Sequence, residues 1–321
     1  MARGRGADGG PCFDAPVAPG GYLWWYVDAI SDDGRHALTL IAFVGSVFSS
    51  WYSWARHRRG AAVNPEDHCA LNVALYGAGG RRWTMTERGA RHVQRSAAQF
   101  DVGPSRLHWD GRNLLIQIDE MGVPLPQRVR GTVRVTPQGA TSRFVAPLDV
   151  DGRHRWGPIA PCARVEVDLD APRLRWQGHA YLDSNEGDEP IERPFSSWDW
   201  SRSVLADGST AVIYDVRDRA GAGRVIARRF APDGSDTAFE PPPRQALPRT
   251  GWRIDRVMRN EAGAPAQVTQ TLEDTPFYAR SMLESNLFGE RVVSVHESLN
   301  VPRLASLPVK LMLPFRMPRR A

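Results

Sequence analysis

Tyr22-Leu-Trp-Trp-Tyr-Val27, Ser31-Asp-Asp-Gly34 and Ala37-Leu-Thr-Leu-Ile-Ala-Phe-Val44 together decide the fold. Two runs rich in β-branched and aromatic residues flank a Ser/Asp/Gly cluster, the pattern of two antiparallel strands joined by a tight turn. His68-Cys-Ala-Leu-Asn-Val-Ala-Leu-Tyr76, Gly77-Ala-Gly-Gly80 and Arg82-Trp-Thr-Met-Thr-Glu87 repeat the pattern. Further strand-like runs cover 106–109, 113–119, 127–137, 142–147, 164–169, 174–181, 196–205, 210–217, 224–230, 253–260 and 266–272. Asp-Gly turns at Asp110-Gly111, Asp151-Gly152, Asp207-Gly208 and Asp233-Gly234 punctuate them. Long helical periodicity is scarce, and 88–100 is the best helix candidate. The expected class is all-β, as barrels or sandwiches with few short helices.

A chain of 321 residues is long enough for one large or two medium domains. Residues 1–19, rich in Gly, Pro and Arg, read as a flexible lead-in. We place the main division near Pro194, giving domains at 20–193 and 194–303. The Pro-rich segment 232–250 reads as a loop or linker. Net charge is a modest +5, nearly all the cations are Arg, and Lys310 is the only lysine. That balance describes a solvated surface, and no nucleic-acid partner is expected. Three scattered cysteines, Cys12, Cys69 and Cys162, suit neither a disulfide framework nor a zinc site, so a reducing compartment is the default. The first ten residues lack the apolar core of a secretory signal. The uncharged run 37–55 is the one transmembrane candidate, but its Ser, Thr and Gly content fits a buried strand and a turn better. The tail 304–321 is apolar and basic with no acid. Such a tail suits an anionic bilayer surface, or a packed end with its cations in water.

Chemistry concentrates in Gly178-His-Ala-Tyr-Leu-Asp-Ser-Asn-Glu-Gly-Asp-Glu-Pro190 and Trp198-Asp-Trp-Ser201. No GxGxxG opens a helix after a strand, and no Walker loop, HExxH or GxSxG occurs. Cofactors and metals are therefore not expected; a set of His154, His179 and Asp183 matches no strong ligand spacing. Five carboxylates crowd the two segments, namely Asp183, Glu186, Asp188, Glu189 and Asp199. Crowded carboxylates resist ionising together, so one can keep its proton near neutral pH. His154 with Trp156, and Tyr181 with Asp183, are spaced two apart, so each pair shares a face if its segment is extended. The second pair reads either as a strand end beside Ser184-Asn185, where a loop holds Asp183 at a barrel mouth, or as a turn-capping Asp183 with a core Tyr181. Eleven Trp are many for this length. Trp24, Trp25, Trp198 and Trp200 are core residues or ring faces for a long apolar ligand or a cation.

Four blocks resemble the carotenoid 1,2-hydratases, also called hydroxyneurosporene synthases: 20–34, 40–48, 65–77, and 178–190 with 198–201. The resemblance runs in consistent order from about residue 20 to 220 and departs at Ser49-Ser-Trp-Tyr52. It implies two lipocalin-like β domains and a cofactor-independent lyase that adds water across the terminal C1–C2 double bond of acyclic carotenoids such as neurosporene and lycopene. It implies spheroidene-type synthesis in a photosynthetic bacterium. It also places the functional His-x-Trp and Tyr-x-Asp on His154, Trp156, Tyr181 and Asp183.

Residue chemistry and resemblance meet at Asp183 as general acid. An unperturbed Asp, of pKa about 3.9, is only ~0.1% protonated at pH 7. Burial and the neighbouring carboxylates Glu186, Asp188 and Glu189 push toward the acid form. His154 accepts the proton of water or hydrogen-bonds Asp183, and whether Asp199 or Asp215 assists stays open. The substrate lives in a bilayer, so the expected setting is the cytoplasmic side of the inner or photosynthetic membrane, met peripherally through the tail. The rival readings are a lipocalin-like carrier of carotenoid or another apolar ligand, and a glycoside hydrolase.

Overall fold

The computed structural model describes residues 3–78, 81–263 and 265–320, with Ala61 described in its backbone alone. Tyr22–Ser31 and His36–Val44 form strands β1 and β2, antiparallel, with Leu23 opposite Val44 and Ile30 opposite Ala37. The Gly34 amide donates to the Ser31 carbonyl (2.9 Å) and the Ser31 hydroxyl to Asp33 (2.6 Å). Gly34 sits at φ 68°, a left-handed conformation that suits glycine. The second expected pair forms β3 (Cys69–Gly77) and β4 (Arg82–Arg88); Gly79 and Gly80 of its turn lie outside the described residues.

The chain divides into two units. In the first, β5 (Val93–Ser96), β6 (Gln99–Val102), β7 (Ser105–Trp109), β8 (Leu114–Met121), β9 (Arg128–Pro137), the short β10 (Ala146–Pro147), β11 (His154–Ala171) and β12 (Arg173–Gly187) complete one antiparallel meander. Its order is β4-β3-β2-β1-β12-β11-β9-β8-β7-β6-β5, so the last strand lies beside the first. The sheet curls until β4 approaches β8 and β3 approaches β6. Alternate residues such as Trp25, Val27, Leu40, Leu71 and Leu182 meet Phe100, Ile116 and Val133 inside it. The interior is thus a packed core.

One ion pair crosses that core. Arg88 donates to Glu120 at 2.8 Å, Ser105 donates to the other carboxylate oxygen at 2.8 Å, and all three are buried. Burial pushes the Glu120 carboxyl up, against the pull of Arg88 and Ser105.

Two expectations change in this unit. The lead-in is packed: Trp25 donates to the Gly4 carbonyl (2.8 Å), Trp109 donates to Asp8 (2.7 Å), and Phe13 is buried edge-on to Trp25 at 4.8 Å. Its Gly-rich composition serves close approach, not freedom, because a Cβ on Gly10 would stand 2.2 Å from the Trp109 ring. The segment 88–100 is not a helix but a 3-10 turn (Ala90–His92) followed by β5 and β6, with Phe100 and Val102 alternating into the core. The helix falls at α1 (Ser50–Arg59), whose N-cap Ser49 accepts from the Tyr52 amide at 2.9 Å. Among the described residues no helix is long and apolar enough to cross a membrane.

The second unit spans Ile191–Val309. Its strands are β13 (Phe195–Val204), β14 (Thr210–Asp218), β15 (Gly223–Phe230), β16 (Asp236–Ala238), β17 (Arg244–Leu247), β18 (Arg256–Arg259), β19 (Gln267–Asp274), β20 (Tyr278–Leu287) and β21 (Glu290–Asn300). The order β16-β15-β14-β13-β21-β20-β19 again sets the last strand beside the first, while β17 and β18 form a separate ribbon. The segment 232–250, read as a linker, supplies β16 and β17, and the last two strands were not anticipated. Helices α2 (Val301–Ala305) and α3 (Leu307–Met312) follow. Lys310–Ala321 belongs to the first unit, where Arg319–Arg320 pairs in parallel with β4. The chain is mainly β, with curled antiparallel sheets, as alternation and resemblance implied.

Replacing Arg88 with Met leaves Glu120 buried without its partner. A loss of about 3–5 kcal/mol is expected in urea denaturation. A stranded carboxyl of raised pKa destabilises more as pH rises, so the loss is larger at pH 8 than at pH 5. Adding Glu120→Leu recovers most of it.

Candidate active site

The pleat of β12 sorts its residues. Ala180 and Leu182 join the interior core, so Tyr181, Asp183, Asn185 and Gly187 project from the opposite face. On β1, Tyr26 is opposite Asp183, Trp24 opposite Asn185 and Tyr22 opposite Gly187. On β11, Pro158, Trp156 and His154 occupy the same three levels. Register shifts after Pro158 and Ala160 interrupt β11 beside Asp183, where Pro158 and Pro161 lack the amide a regular ladder needs. Asp183 therefore stands mid-strand, not in a loop at a strand end.

Asp183 is 2% exposed. Its Oδ2 accepts from Trp156 Nε1 and from the Tyr181 hydroxyl, each at 2.8 Å, and Trp156 Nε1 also lies 3.2 Å from the Tyr181 oxygen. Its Oδ1 meets Asn185 Nδ2 at 3.4 Å, a longer and weaker contact. The donors favour a carboxylate, whereas withdrawal from water favours the neutral acid. Tyr26 stands edge-on to Tyr181 at 6.3 Å, and Phe144 edge-on to Trp156 at 5.9 Å.

His154 is fully buried, with Nδ1 2.8 Å from the Tyr22 hydroxyl and Nε2 3.8 Å from Glu189. That network suits a neutral ring that carries its proton on Nε2 and accepts from Tyr22. Burial holds the imidazole below its ordinary value, against the nearby carboxylates of Asp149, Glu189 and Asp188. Gly187 makes the Tyr22–His154 pair possible: a Cβ there would fall 2.4 Å from the Tyr22 ring and 2.6 Å from His154 Nδ1. The phenol and the imidazole meet over a strand that has no side chain at that point.

The acidic crowding resolves differently from its reading in sequence. Glu186 lies on the other face of β12 and is held by Arg155 (2.6 Å) and the Arg3 amide (2.6 Å). Asp188 pairs with Arg155 (3.3 Å) and with Arg3, and Glu189 with Arg153 (3.2 Å). Their charge is spent on arginines, and alternation separates Glu186 from Asp183. His179 is half-buried, 4.0 Å from Asp32 and about 13 Å along β12 from Asp183. Of the Trp, Trp24 shares the Asp183 face and stacks on Tyr22 at 4.9 Å. Trp25 faces the closed core, and Trp198 packs against Phe195 and Tyr214 in the second unit, where β13 also carries Trp200.

Tyr22, Tyr26, Asp28 and Asn185 were missed. Asp28 is fully buried and lies opposite Tyr181. The period of two along β1 and β12 would have found all four once those strands were paired. Arg5 was missed because the lead-in was read as loose. Its guanidinium donates to the Pro158 carbonyl, is pushed down to about 10 chiefly by burial, and feels Tyr181.

A model of the family described as Carotenoid hydratase CrtC matches residues 40–321. The chain is 67% identical to the acyclic carotenoid 1,2-hydratase of Rubrivivax gelatinosus, over 98% of this chain and 77% of that one. It is 56% identical to that of Thiocapsa roseopersicina, over 97% and 76%, and 40% identical to that of Cereibacter sphaeroides, over 88% and 98%. Among solved structures, a putative AttH from Nitrosomonas europaea aligns with TM-score 0.59 at 14% identity, over 87% of this chain and 92% of that one. Kievitone hydratase from Nectria haematococca aligns with TM-score 0.53 at 9% identity, over 89% and 90%. At such identities the structural likeness speaks for the fold alone.

Asp199 and Asp215 lie opposite each other on β13 and β14. Asp199 accepts from the Ser298 hydroxyl (2.5 Å) and the Val257 amide (3.3 Å), with His296 at 3.8 Å, while Asp215 is paired with Arg259 at 2.9 Å. Burial pushes Asp199 up to about 7 and His296 down to about 4. Between about pH 4 and 7 the folded Asp199 keeps a proton that the unfolded chain releases, so its contribution to stability falls as pH rises. Between about pH 4 and 6.5 the folded His296 stays neutral while the unfolded ring is charged, so its contribution rises with pH. Asp199→Asn removes the first slope and leaves the second. Thermal unfolding from pH 4 to 8 is expected to show a steeper rise with pH than in the parent, and a higher midpoint than the parent above pH 7.

Proposed function

The chain belongs to the carotenoid hydratase family and is a hydratase of acyclic carotenoids, and we propose that it adds water across the terminal C1–C2 double bond of substrates such as neurosporene and lycopene with Asp183 as general acid. The observation that carries this reading is a carboxyl group anchored through Oδ2 by Trp156 and Tyr181 within an aromatic face. With Oδ2 held by two donors, Oδ1 is the oxygen that gives up the proton. Protonation of C2 leaves a tertiary cation at C1. The rings of Tyr181 and Trp156 face that charge, each worth about 1–2 kcal/mol when dry. Water adds at C1. Tyr22 takes the surplus proton as it hands its own to Nδ1 of His154; His154 then releases a proton to solvent and Asp183 regains one from solvent, so every group ends as it began. Hydration is redox-neutral overall and needs no redox cofactor. The reaction belongs to spheroidene-type carotenoid synthesis in a photosynthetic bacterium.

Two rivals fit less well. A lipocalin-like carrier holds its ligand inside a barrel, and side chains fill the interior of the first unit. A glycoside hydrolase surrounds its sugar with polar side chains, whereas the levels of Asp183 and Asn185 are flanked by Tyr26, Trp24, Pro158 and Trp156.

The substrate is a bilayer hydrocarbon, and we assign the approach to it to the C-terminal segment. Leu311, Met312 and Phe315, in the segment that belongs to the first unit, are 53%, 49% and 77% exposed, at the end of α3 and in the turn that follows. The Lys310 carbonyl accepts from Ser50, and the Met317 carbonyl from Trp51, tying this segment to α1, which ends in Arg56-His-Arg-Arg59. No carboxylate occurs in 45–65 or 298–321. Exposed apolar side chains beside stretches of sequence rich in cations and without acids suit a peripheral contact with an anionic bilayer, on the cytoplasmic face of the inner or photosynthetic membrane.

Incubation with lycopene in ¹⁸O-water, followed by mass spectrometry, is expected to give a product heavier by one labelled water. Asp183→Asn is expected to cut its formation by about 10²–10⁴-fold while circular dichroism and the unfolding midpoint stay near the parent's; near-normal turnover sinks the assignment. Replacing Leu311, Met312 and Phe315 with Ser is expected to weaken sedimentation with phosphatidylglycerol vesicles at least ~tenfold. Hydration of detergent-dispersed lycopene should be unchanged in that variant. Equal sedimentation of variant and parent, or a fall from dimer to monomer on gel filtration in place of a vesicle effect, rejects the bilayer contact.

A further inference from the structure

Along β12 the acid and the proton-accepting pair are well separated. Asp183 stands at one level and Gly187, flanked by Tyr22 and His154, two levels on, about 13 Å along the strand. One water molecule cannot touch both. Asn185 lies midway on the same face, between Trp24 on β1 and Trp156 on β11, and is 5% exposed. Its Nδ2 faces Asp183 Oδ1 at 3.4 Å, the orientation that suits the carboxylate left once the acid has given up its proton, which is the form present when water adds. The Oδ1 of Asn185 is then a buried acceptor with no hydrogen-bond partner among the described residues. Leaving such an atom unsatisfied opposes folding, and a protein sustains it where a ligand completes the bond.

We propose that Asn185 Oδ1 is the binding site for the reacting water, held between Asp183 and the Tyr22–His154 pair by a hydrogen bond donated from the water to the amide oxygen. The inference rests on the hydration mechanism above and adds the position of its second substrate. The water's oxygen bonds to C1 of the cation, one of its hydrogens stays on the new hydroxyl, bonded to Asn185 Oδ1 until the product leaves, and the other passes to Tyr22 as Tyr22 protonates His154. Asn185 thus acts after protonation. Without it the cation still forms, and it mostly returns a proton and reverts to alkene.

That order of events supplies the test. In D2O a cation that forms and reverts leaves deuterium in the recovered carotenoid, whereas a captured cation leaves as alcohol. In Asn185→Leu the yield of alcohol is expected to fall about 10²-fold. The ratio of deuterium in recovered lycopene to alcohol formed is expected to rise at least about tenfold. Asn185→Ser, which keeps a smaller polar acceptor, should show the same shift to a lesser degree, and it carries the test if the Leu variant fails to fold. A purely structural role lowers exchange and hydration in constant proportion, and that outcome, or unchanged hydration in either variant, overturns the proposal. Asp183→Asn separates the two readings, because it should cut exchange as deeply as hydration. Exchange that persists in that variant counts against Asp183 as the acid, not against Asn185.

Discussion

Everything at the candidate site depends on the pairing of β12 with β1 and β11 in one register. The two-residue period of the strand sends Ala180 and Leu182 into a packed core and Tyr181, Asp183 and Asn185 to the opposite face. A slip of one residue would drive the carboxylate into the Leu and Val of the interior and turn Leu182 outward. Core packing and active-site geometry are therefore enforced by the same hydrogen bonds. The apolar half of the strand contributes the stability that holds a buried acid between two aromatic donors. Gly187 shows how narrow the tolerance is, since even a methyl group there would separate Tyr22 from His154.

Much of this was legible in the sequence, for a definite reason. Strand periodicity is local, so the hairpins at 22–44 and 69–88 could be read from their own residues, as could the shared faces of His154 with Trp156 and Tyr181 with Asp183. Partners across strands are not local. Asn185, Tyr22 and Tyr26 became visible only when β12 was seen beside β1, a pairing between residues more than 150 positions apart. The carboxylates of 183–189 illustrate the opposite error: nearness in sequence was taken for nearness of charge. Alternation put Glu186 on the other face, and Arg155, Arg3 and Arg153 claimed the rest. The helix expected at 88–100 fails similarly, because Phe100 and Val102 alternate toward a core that only the curled sheet creates. The lead-in misleads by composition. Glycines in 3–20 permit tight contact with Trp25 and Trp109, which in sequence looks the same as looseness.

The two carboxylate oxygens of Asp183 have different surroundings. Two donors at 2.8 Å fix Oδ2 and thereby the plane of the group, at the price of favouring the anion. Burial opposes them by disfavouring charge where water is excluded. A group proposed to give a proton and recover it in each cycle is served by such opposition. Three donors in open solvent would leave a carboxylate that rarely holds a proton. The same burial with no donors would leave an acid that rarely yields one and has no fixed direction. Placing the group mid-strand, between Tyr26 and Pro158, supplies burial and direction together, which a flexible loop at a barrel mouth could not do.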